Sequence, residues 1–508
     1  MGRTSSEVNE RTALLANGQP QLADNAPEVT IASAQPATDA RLPRRAIVTF
    51  AICASSLFFI ILGGMVLTPA SNQIGEEIIC RQFHPDIADG RDPRCKDNRV
   101  QGELALIDGV ALPLFLLPGI LTAVPYGLFA DTYGRRLGIA LAMLGLLLQA
   151  GATLAVYAFP AIFPIRAVWF ASLFTLIGGG GTVLNAHIFA TISNVAPGAH
   201  KTLLFSYLGA ALTAAELTGS PLAWLLMQHG AWLTIYVSFF FLCVGALFSL
   251  FIPQLPMEAK AAAVLDTATG SASDVAKASL VKRQLVAAGR KVQHIFRTQF
   301  LEQRTLGLLL CSLAFTTFGK AFTTTLAQYV SRRYGWSWAD TGLLSSLQGG
   351  ITMVTTSVFI PLLDRLLRQK WSWTLFEKDI FLAQLSLAIM TIGYFGIGSA
   401  STSAVMLAFL SFMSLSKGHE FIMRSLLAQA AGEANVGVVY TTNSVLETVG
   451  MAVAGPLMAA AFRRGLEWGG VMIGFPFFVA SVVLFLGSCL VWIASRTAKV
   501  DLHHEHED

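Results

Sequence analysis

Stretches of nineteen or more residues without a charged side chain recur along this 508-residue chain. As a helix, each is long enough to cross the roughly 30 Å hydrocarbon core of a bilayer. Hydrophobic residues make up 54% of the chain, and Asp, Glu, Lys and Arg only 13%, about half the charged share of a soluble domain. A soluble core could not hide so much apolar surface, so the sequence predicts an all-α membrane protein rather than a soluble enzyme. A net charge of +4 without a basic face argues against nucleic-acid binding.

Hydropathy predicts twelve membrane spans, divided six and six by one long polar break. The predicted organisation is a disordered cytoplasmic tail (1–45), an N-terminal six-helix bundle (46–252), a cytoplasmic linker (253–304), a C-terminal six-helix bundle (305–494) and a cytoplasmic tail (495–508). The predicted spans are 46–68, 106–129, 137–159, 165–192, 203–227, 232–252, 305–330, 342–363, 381–398, 403–427, 438–462 and 469–494.

The distribution of Lys and Arg predicts the orientation. An even number of spans places both termini on one side, and that side carries most of the basic residues, which indicates the cytoplasm. The predicted location is the cell membrane. The alternative is the vacuolar membrane, because Glu10, Leu14 and Leu15 fit an acidic dileucine sorting pattern.

Two of the six cysteines lie outside the predicted spans, in the loop 69–103. This loop faces the oxidising side of the membrane, so we expect a Cys80–Cys95 disulfide. The alternative is a pair of free thiols.

The loop between the second and third spans carries a specific motif. Gly127, Asp131, Gly134, Arg135 and Arg136 form the pattern G-x-x-x-D-x-x-G-R-R. In this place the pattern resembles the signature loop of the major facilitator superfamily. The resemblance implies two pseudo-symmetric six-helix bundles, close helix packing at Gly127, and a charge latch between Asp131 and Arg135 that stabilises one access state.

Three weaker echoes between the two halves support this resemblance. Asp364 and Arg368 repeat Asp131 and Arg135 at an offset of 233 residues. Glu447 repeats Glu216 at an offset of 231, and His419 repeats His187 at 232. Nearly equal offsets are typical of the two parallel repeats of this fold.

Within the superfamily, the segments 10–15 and 336–342 are similar to those of fungal drug and metabolite exporters. The cysteine-bearing first loop and the segment 117–119 are similar to the proton-coupled folate transporter group. Proton coupling is an expectation from this resemblance, although Phe174 stands where proton-exchanging exporters usually carry an Arg four residues before a Gly. No cofactor is expected, and no ATP-binding loop or cofactor fingerprint is apparent. The terminal run His503-His504-Glu505-His506 could bind a metal ion, but we interpret it as a solvated tail and predict no metal site.

Polar side chains inside the predicted spans are candidates for a substrate and proton path. Burying a charged side chain at mid-bilayer costs about 3 kcal/mol, so a charged residue inside a span is expected to have a functional or structural role. The alternative is that Glu216 and Glu447 are protonated packing residues, or that one of them pairs with Lys320. The full candidate set is Lys320, Glu216, Glu447, His187, Asn185, His419 and Glu420.

These observations predict a monomeric secondary transporter that moves a small organic molecule by alternating access. Export of a secondary metabolite or toxic compound is the leading interpretation. The alternatives are proton-coupled import of an organic anion and a membrane sensor that does not transport.

Overall fold

The computed structural model describes residues 43–87, 92–195, 201–253, 304–371, 375–431 and 436–504. The sorting residues Glu10, Leu14 and Leu15, the linker and most of both predicted tails lie outside these ranges. The first half contains α1 (Arg44–Phe83), α2 (Asn98–Tyr133), α3 (Arg135–Ala158), α4 (Val168–Ala171), α5 (Gly180–Val195), α6 (Lys201–Met227) and α7 (Ala231–Leu250). The second contains α8 (Arg304–Tyr334), α9 (Trp338–Val354), α10 (Ile360–Trp371), α11 (Leu375–Ser399), α12 (Ser403–Ser414), α13 (His419–Ala431), α14 (Val436–Trp468) and α15 (Phe475–His504).

Eight helical segments of the described chain are long and apolar enough to cross a membrane. They coincide with predicted spans one to four, six, nine, eleven and twelve. Helices also occupy the positions of the remaining four: α6, α8, α9 with α10, and α12 with α13. The tenth predicted span is divided between α12 and α13, each too short to cross alone. The all-α prediction is confirmed.

Each half packs mainly on itself. In the first half α1 lies against α6 and α7, and in the second α8 lies against α14 and α15. The halves meet where α2 packs on α14 and where α6 packs on α9. Under the repeat predicted from the sequence, α2 corresponds to α9 and α6 corresponds to α14, so the repeat converts one helix pair into the other. This is expected for halves related by an axis along the membrane normal.

The first two helices are longer than the sequence predicted. The predicted span ended before Pro69, but α1 continues through this proline to Phe83. A proline within a membrane helix is tolerated where neighbouring helices pack around it. Beyond it, Ile74, Ile78 and Ile79 are buried in an apolar cluster with the start of α2. Most of the predicted loop 69–103 is therefore helical: α1 covers 69–83, a short turn of 3-10 helix covers Pro93–Lys96, and α2 begins at Asn98.

Candidate functional site

The halves are in tight contact at the end of the helices that carries the Cys80–Cys95 disulfide, which we call the disulfide side. At Gly109 of α2, an added Cβ would lie 2.5 Å from the Ala459 Cβ and 2.9 Å from the Gly455 carbonyl oxygen of α14. At Gly455, it would lie 2.8 Å from the Gly109 carbonyl oxygen. Small residues let the two backbones touch here, so the disulfide side is closed.

A buried carboxylate lies at the centre of this closed side. The Glu76 side chain of α1 forms an ion pair with Lys96 at 2.8 Å and accepts a hydrogen bond from Gln101 Nε2. Its Oε2 also accepts a hydrogen bond of 2.5 Å from the Trp338 indole of α9, in the other half. Lys96 Nζ lies 2.7 Å from Ser331 Oγ of α8. We call Glu76, Lys96, Gln101, Ser331 and Trp338 the Glu76 cluster.

Further hydrogen bonds join the halves near this cluster. Gln328 of α8 donates to Asp108 Oδ2 of α2 at 2.9 Å. The Trp224 indole of α6 donates to Asp340 Oδ1 of α9 at 3.0 Å. Asp340 is held in place by Ser337, which caps the start of α9. In each of these contacts, a carboxylate of one half is bound by a neutral N–H group of the other.

Cys80 and Cys95 are joined by a disulfide in the structure, with their Cα atoms 5.0 Å apart. Both residues are buried, and the bridge ties the end of α1 to the short turn Pro93–Lys96. Burial lowers the pKa of the Lys96 ammonium, while Glu76 opposes that shift. Desolvation of this pair therefore opposes its mutual attraction.

The fourth predicted span is not a continuous helix. Gly178, Gly179 and Gly180 have φ angles of +80°, +79° and +61°. Residues other than glycine rarely adopt such positive φ angles. An added Cβ at Gly178 would lie 2.1 Å from the Ala142 backbone nitrogen of α3. The sequence indicated close backbone approach at these glycines, but the break in the helix was not predicted.

The tenth predicted span is also interrupted, because a turn at residues 415–418 separates α12 from α13. Half-buried Lys417 lies in this turn. It interacts electrostatically with Glu216 of α6, across the two halves. Glu216 is exposed, and it lies on α6, which packs on α9 of the other half. Interrupted helices with a charge at the break are typical of substrate sites in secondary transporters.

The other predicted path residues lie in different surroundings. His187 is buried, and its Nε2 would be 3.0 Å from a Cβ at Gly138, so its ring packs on α3 within the first half. His419 is buried, and Asn185 is exposed. Half-buried Glu447 accepts a hydrogen bond from Asn443, one turn earlier. Glu420 is half-buried at the start of α13, and Lys320 lies on α8 where its side chain is not described.

The motif loop is a tight turn. Gly134, with a φ angle of +94°, ends α2 and begins α3, and Arg136 is exposed beside it. An added Cβ at Gly127 would meet no described atom within 4 Å, so the described residues do not show the close packing expected there. Nη1 of Arg135 is enclosed without an acceptor among the described side chains. The side chains of Asp131, Asp364 and Arg368 are not described, and these residues lie on α2 and α10.

Sequence reasoning missed most of the disulfide-side residues. Glu76, Lys96 and Trp338 were not singled out, because they are separated by up to 262 positions and stood in what was read as a loop or a span end. Asp108 gave the clearest signal, a lone acid near the start of the second span. Groups of three or more His, Cys, Asp or Glu that could hold a metal do not occur in the described chain.

Comparisons with known proteins agree with this architecture. The family model of the Major Facilitator Superfamily matches residues 50–455. The chain is 28% identical to the MFS efflux pump atnC of Emericella nidulans over 85% of this chain and 84% of that protein. It is 27% identical to the efflux pump ustT of Aspergillus flavus over 83% of each chain.

More distant matches extend the same result. The chain is 23% identical to the proton-coupled folate transporter of Bos taurus, over 75% of this chain and 76% of that protein. The crystal structure of a D-xylose-proton symporter superposes with a TM-score of 0.60 at 13% identity, covering 88% of this chain and 97% of the symporter. The predicted resemblance is confirmed: this chain is a multi-pass membrane transporter, not an enzyme, and it belongs to the Major Facilitator Superfamily.

Proposed function

We propose that this protein exports a small organic molecule by alternating access between its two halves. The observation that carries the proposal is the arrangement of the halves: they are tightly closed on the disulfide side, and Glu216 of the first half interacts electrostatically with Lys417 at the interrupted helix of the second. The relatives named as efflux pumps favour export. We further propose that the disulfide side faces away from the cytoplasm in the cell membrane, and that the protein acts as a monomer.

Proton coupling is part of the proposal, with the energy taken from an ion gradient rather than from a cofactor. Glu216 and Asp108 are carboxylates between the halves whose surroundings change when the halves separate. Because removal from water penalises a charged carboxylate, such groups can couple proton movement to a change of state.

The experiment that tests export compares the accumulation of candidate compounds in deletion and overexpressing cells. Overexpression should lower the cellular content of the carried compound, and collapse of the proton gradient should remove the difference. Equal content in both strains for every compound would contradict export.

A second candidate function is proton-coupled import of an organic anion. Lys417 at the break in the tenth span favours it, and so does the relative named as a folate transporter. Import would raise the accumulation of carboxylate compounds in overexpressing cells, which is the opposite sign.

We predict that Asp131→Asn and Arg135→Ala each lower the transport rate about tenfold or more without reducing the amount of protein in the membrane. Nη1 of Arg135 is enclosed and has no acceptor among the described side chains, and we expect it to bind the Asp131 carboxylate in one state of the cycle. Losing a charge-assisted bond of about 1.5–3 kcal/mol would shift the balance between those states by that factor. Initial rates at equal expression test this.

The matched control for the latch is Arg496→Ala, an exposed cation of α15 that stacks on Trp492 and should transport normally. Wild-type rates in both latch variants would show that the loop motif has no such role in this protein.

We also predict that Lys320→Ala lowers transport at least tenfold while the protein still reaches its membrane, because removal of a charge does not hinder insertion. If the partner of Lys320 is a glutamate, a double variant with Glu216→Gln or Glu447→Gln should restore stability relative to the worse single variant. If the partner is the substrate, affinity should fall most for carboxylate compounds. Unaltered rate and affinity for every compound would remove Lys320 from the path.

A further inference from the structure

The Glu76 cluster joins three separate parts of the chain at the contact between the halves. The Glu76 side chain is only 4% exposed. Its charge is met by Lys96 and Gln101 from the first half and by the Trp338 indole from the second. A carboxylate buried in this way is stable only while its donors stay in place. The cluster is therefore sensitive to any movement that separates the halves.

Trp338 penetrates the first half more deeply than a surface contact would require. With Ala339, it is part of the buried apolar cluster formed by the ends of α1 and α2. Its ring also lies under the Lys96 ammonium, with Nζ 4.9 Å from the ring centroid. Opening of the disulfide side must withdraw this ring and break its bond to Glu76, and it must also break the bond between Lys96 and Ser331.

The disulfide determines where Lys96 lies. Lys96 directly follows Cys95, and Cys80 is one helical turn beyond Glu76 on α1. The bridge therefore fixes the turn Pro93–Lys96 beside the carboxylate. Both cysteines are buried, so the bridge is a lasting constraint at this contact rather than an exposed surface link.

We propose that Glu76, Lys96 and Trp338 form the gate that holds the disulfide side closed, and that the Cys80–Cys95 bridge is a working part of this gate because it positions Lys96. Lys96 serves both halves at once: it neutralises Glu76 in the first half and donates to Ser331 in the second. The gate operates whichever compound is carried, and it does not depend on the direction of transport.

The test measures the separation of the halves directly. Nitroxide labels are attached through p-acetylphenylalanine at Ile162, which is 70% exposed, and at Ser401, which is also exposed. These residues lie in disulfide-side loops of the first and second halves, and this attachment leaves every cysteine untouched. Pulsed electron paramagnetic resonance on the full chain in lipid nanodiscs then gives the ratio of long (open) to short (closed) distances.

We expect Lys96→Met to raise the open-to-closed ratio about tenfold, the effect of losing one charge-assisted interaction. Trp338→Phe, which removes the indole N–H, should act in the same direction. The control for charge removal is Arg464→Met, which breaks an exposed ion pair of 2.9 Å with Glu467 on the same side. The control for loss of the indole is Trp468→Phe, because Trp468 is an exposed residue. Both controls should match the wild type.

Two further variants separate the parts of the proposal. Glu76→Gln combined with Lys96→Met removes both charges, so its open-to-closed ratio should return toward the wild-type value. The double variant Cys80→Ala with Cys95→Ala should open the protein as Lys96→Met does, and adding Lys96→Met to it should have little further effect.

Wild-type distances in Lys96→Met and Trp338→Phe would overturn the gate. Wild-type distances in the bridge variant alone would show that the disulfide does not position Lys96. If the bridge variant does not fold, the single variants Lys96→Met and Trp338→Phe and the double variant Glu76→Gln with Lys96→Met, all of which keep the bridge, still decide whether Glu76, Lys96 and Trp338 form the gate. Failure to transport any compound would contradict the proposed function but would leave the measured distances, and so the gate, unaffected.

Discussion

Gly178→Ala is expected to prevent accumulation of folded protein. The residue has a φ angle of +80°, a conformation that costs a residue with a Cβ about 1–3 kcal/mol. The Cβ would also lie 2.1 Å from the Ala142 backbone nitrogen and 2.2 Å from the Leu141 carbonyl carbon. These neighbours are backbone atoms, so no side-chain rotation can relieve the overlap, and α3 would have to move.

The measurement is the fluorescence-detected elution profile of tagged protein with its thermal midpoint, beside Gly181→Ala as the control. Gly181 lies in α5, outside the left-handed stretch, and an added Cβ there would have open space. Its replacement by Ala should leave the midpoint unchanged or raise it slightly, because alanine favours helix. Wild-type yield and midpoint in Gly178→Ala would mean that the fourth span is helical through its glycines.

Gly109→Leu is expected to abolish transport in a protein that still folds. Each helix can keep its own hydrogen bonds, but a side chain at this position cannot fit between α2 and α14, where Ala459 Cβ would lie 2.5 Å from the new Cβ. The halves must then stay apart on the disulfide side. Because alternating access requires this side to close, the cycle would stop in one state.

The label distance between residues 162 and 401 should shift almost wholly to the open value in Gly109→Leu, with no detectable movement of the carried compound. Gly151→Leu is the matched control, since an added Cβ at Gly151 of α3 meets no atom within 4 Å; it should transport and close as the wild type does. Closed distances in Gly109→Leu would show that α2 and α14 are not the contact that limits closure.

The breaks in the fourth and tenth spans show how far hydropathy carries a prediction. A run of apolar residues indicates that a segment is stable in the bilayer, but it does not indicate whether the backbone of that segment is helical throughout. Glycines 178–180 could have been read as a helical small-residue contact or as an interruption. The position of α3 decides between these, because the Gly178 backbone lies against Ala142.

The continuation of α1 past Pro69 is also determined by tertiary packing rather than by the local sequence. Locally, a proline followed by polar residues is typical of a helix end. Tertiary packing overrides that signal, because Ile74, Ile78 and Ile79 have an apolar cluster to fill. As a result, Glu76 is carried to the contact between the halves on a helix rather than in a loop.

The sequence alone predicted the all-α membrane class and the family, both of which are confirmed. These depend on local properties: the length of each apolar stretch, the placement of charges and one short loop motif. Only the tertiary structure decided which polar residues meet. Asp108 and Gln328 are 220 positions apart, and Glu76 and Trp338 are 262 apart. No local pattern reports such pairs, because packing of one half against the other brings them within hydrogen-bond distance.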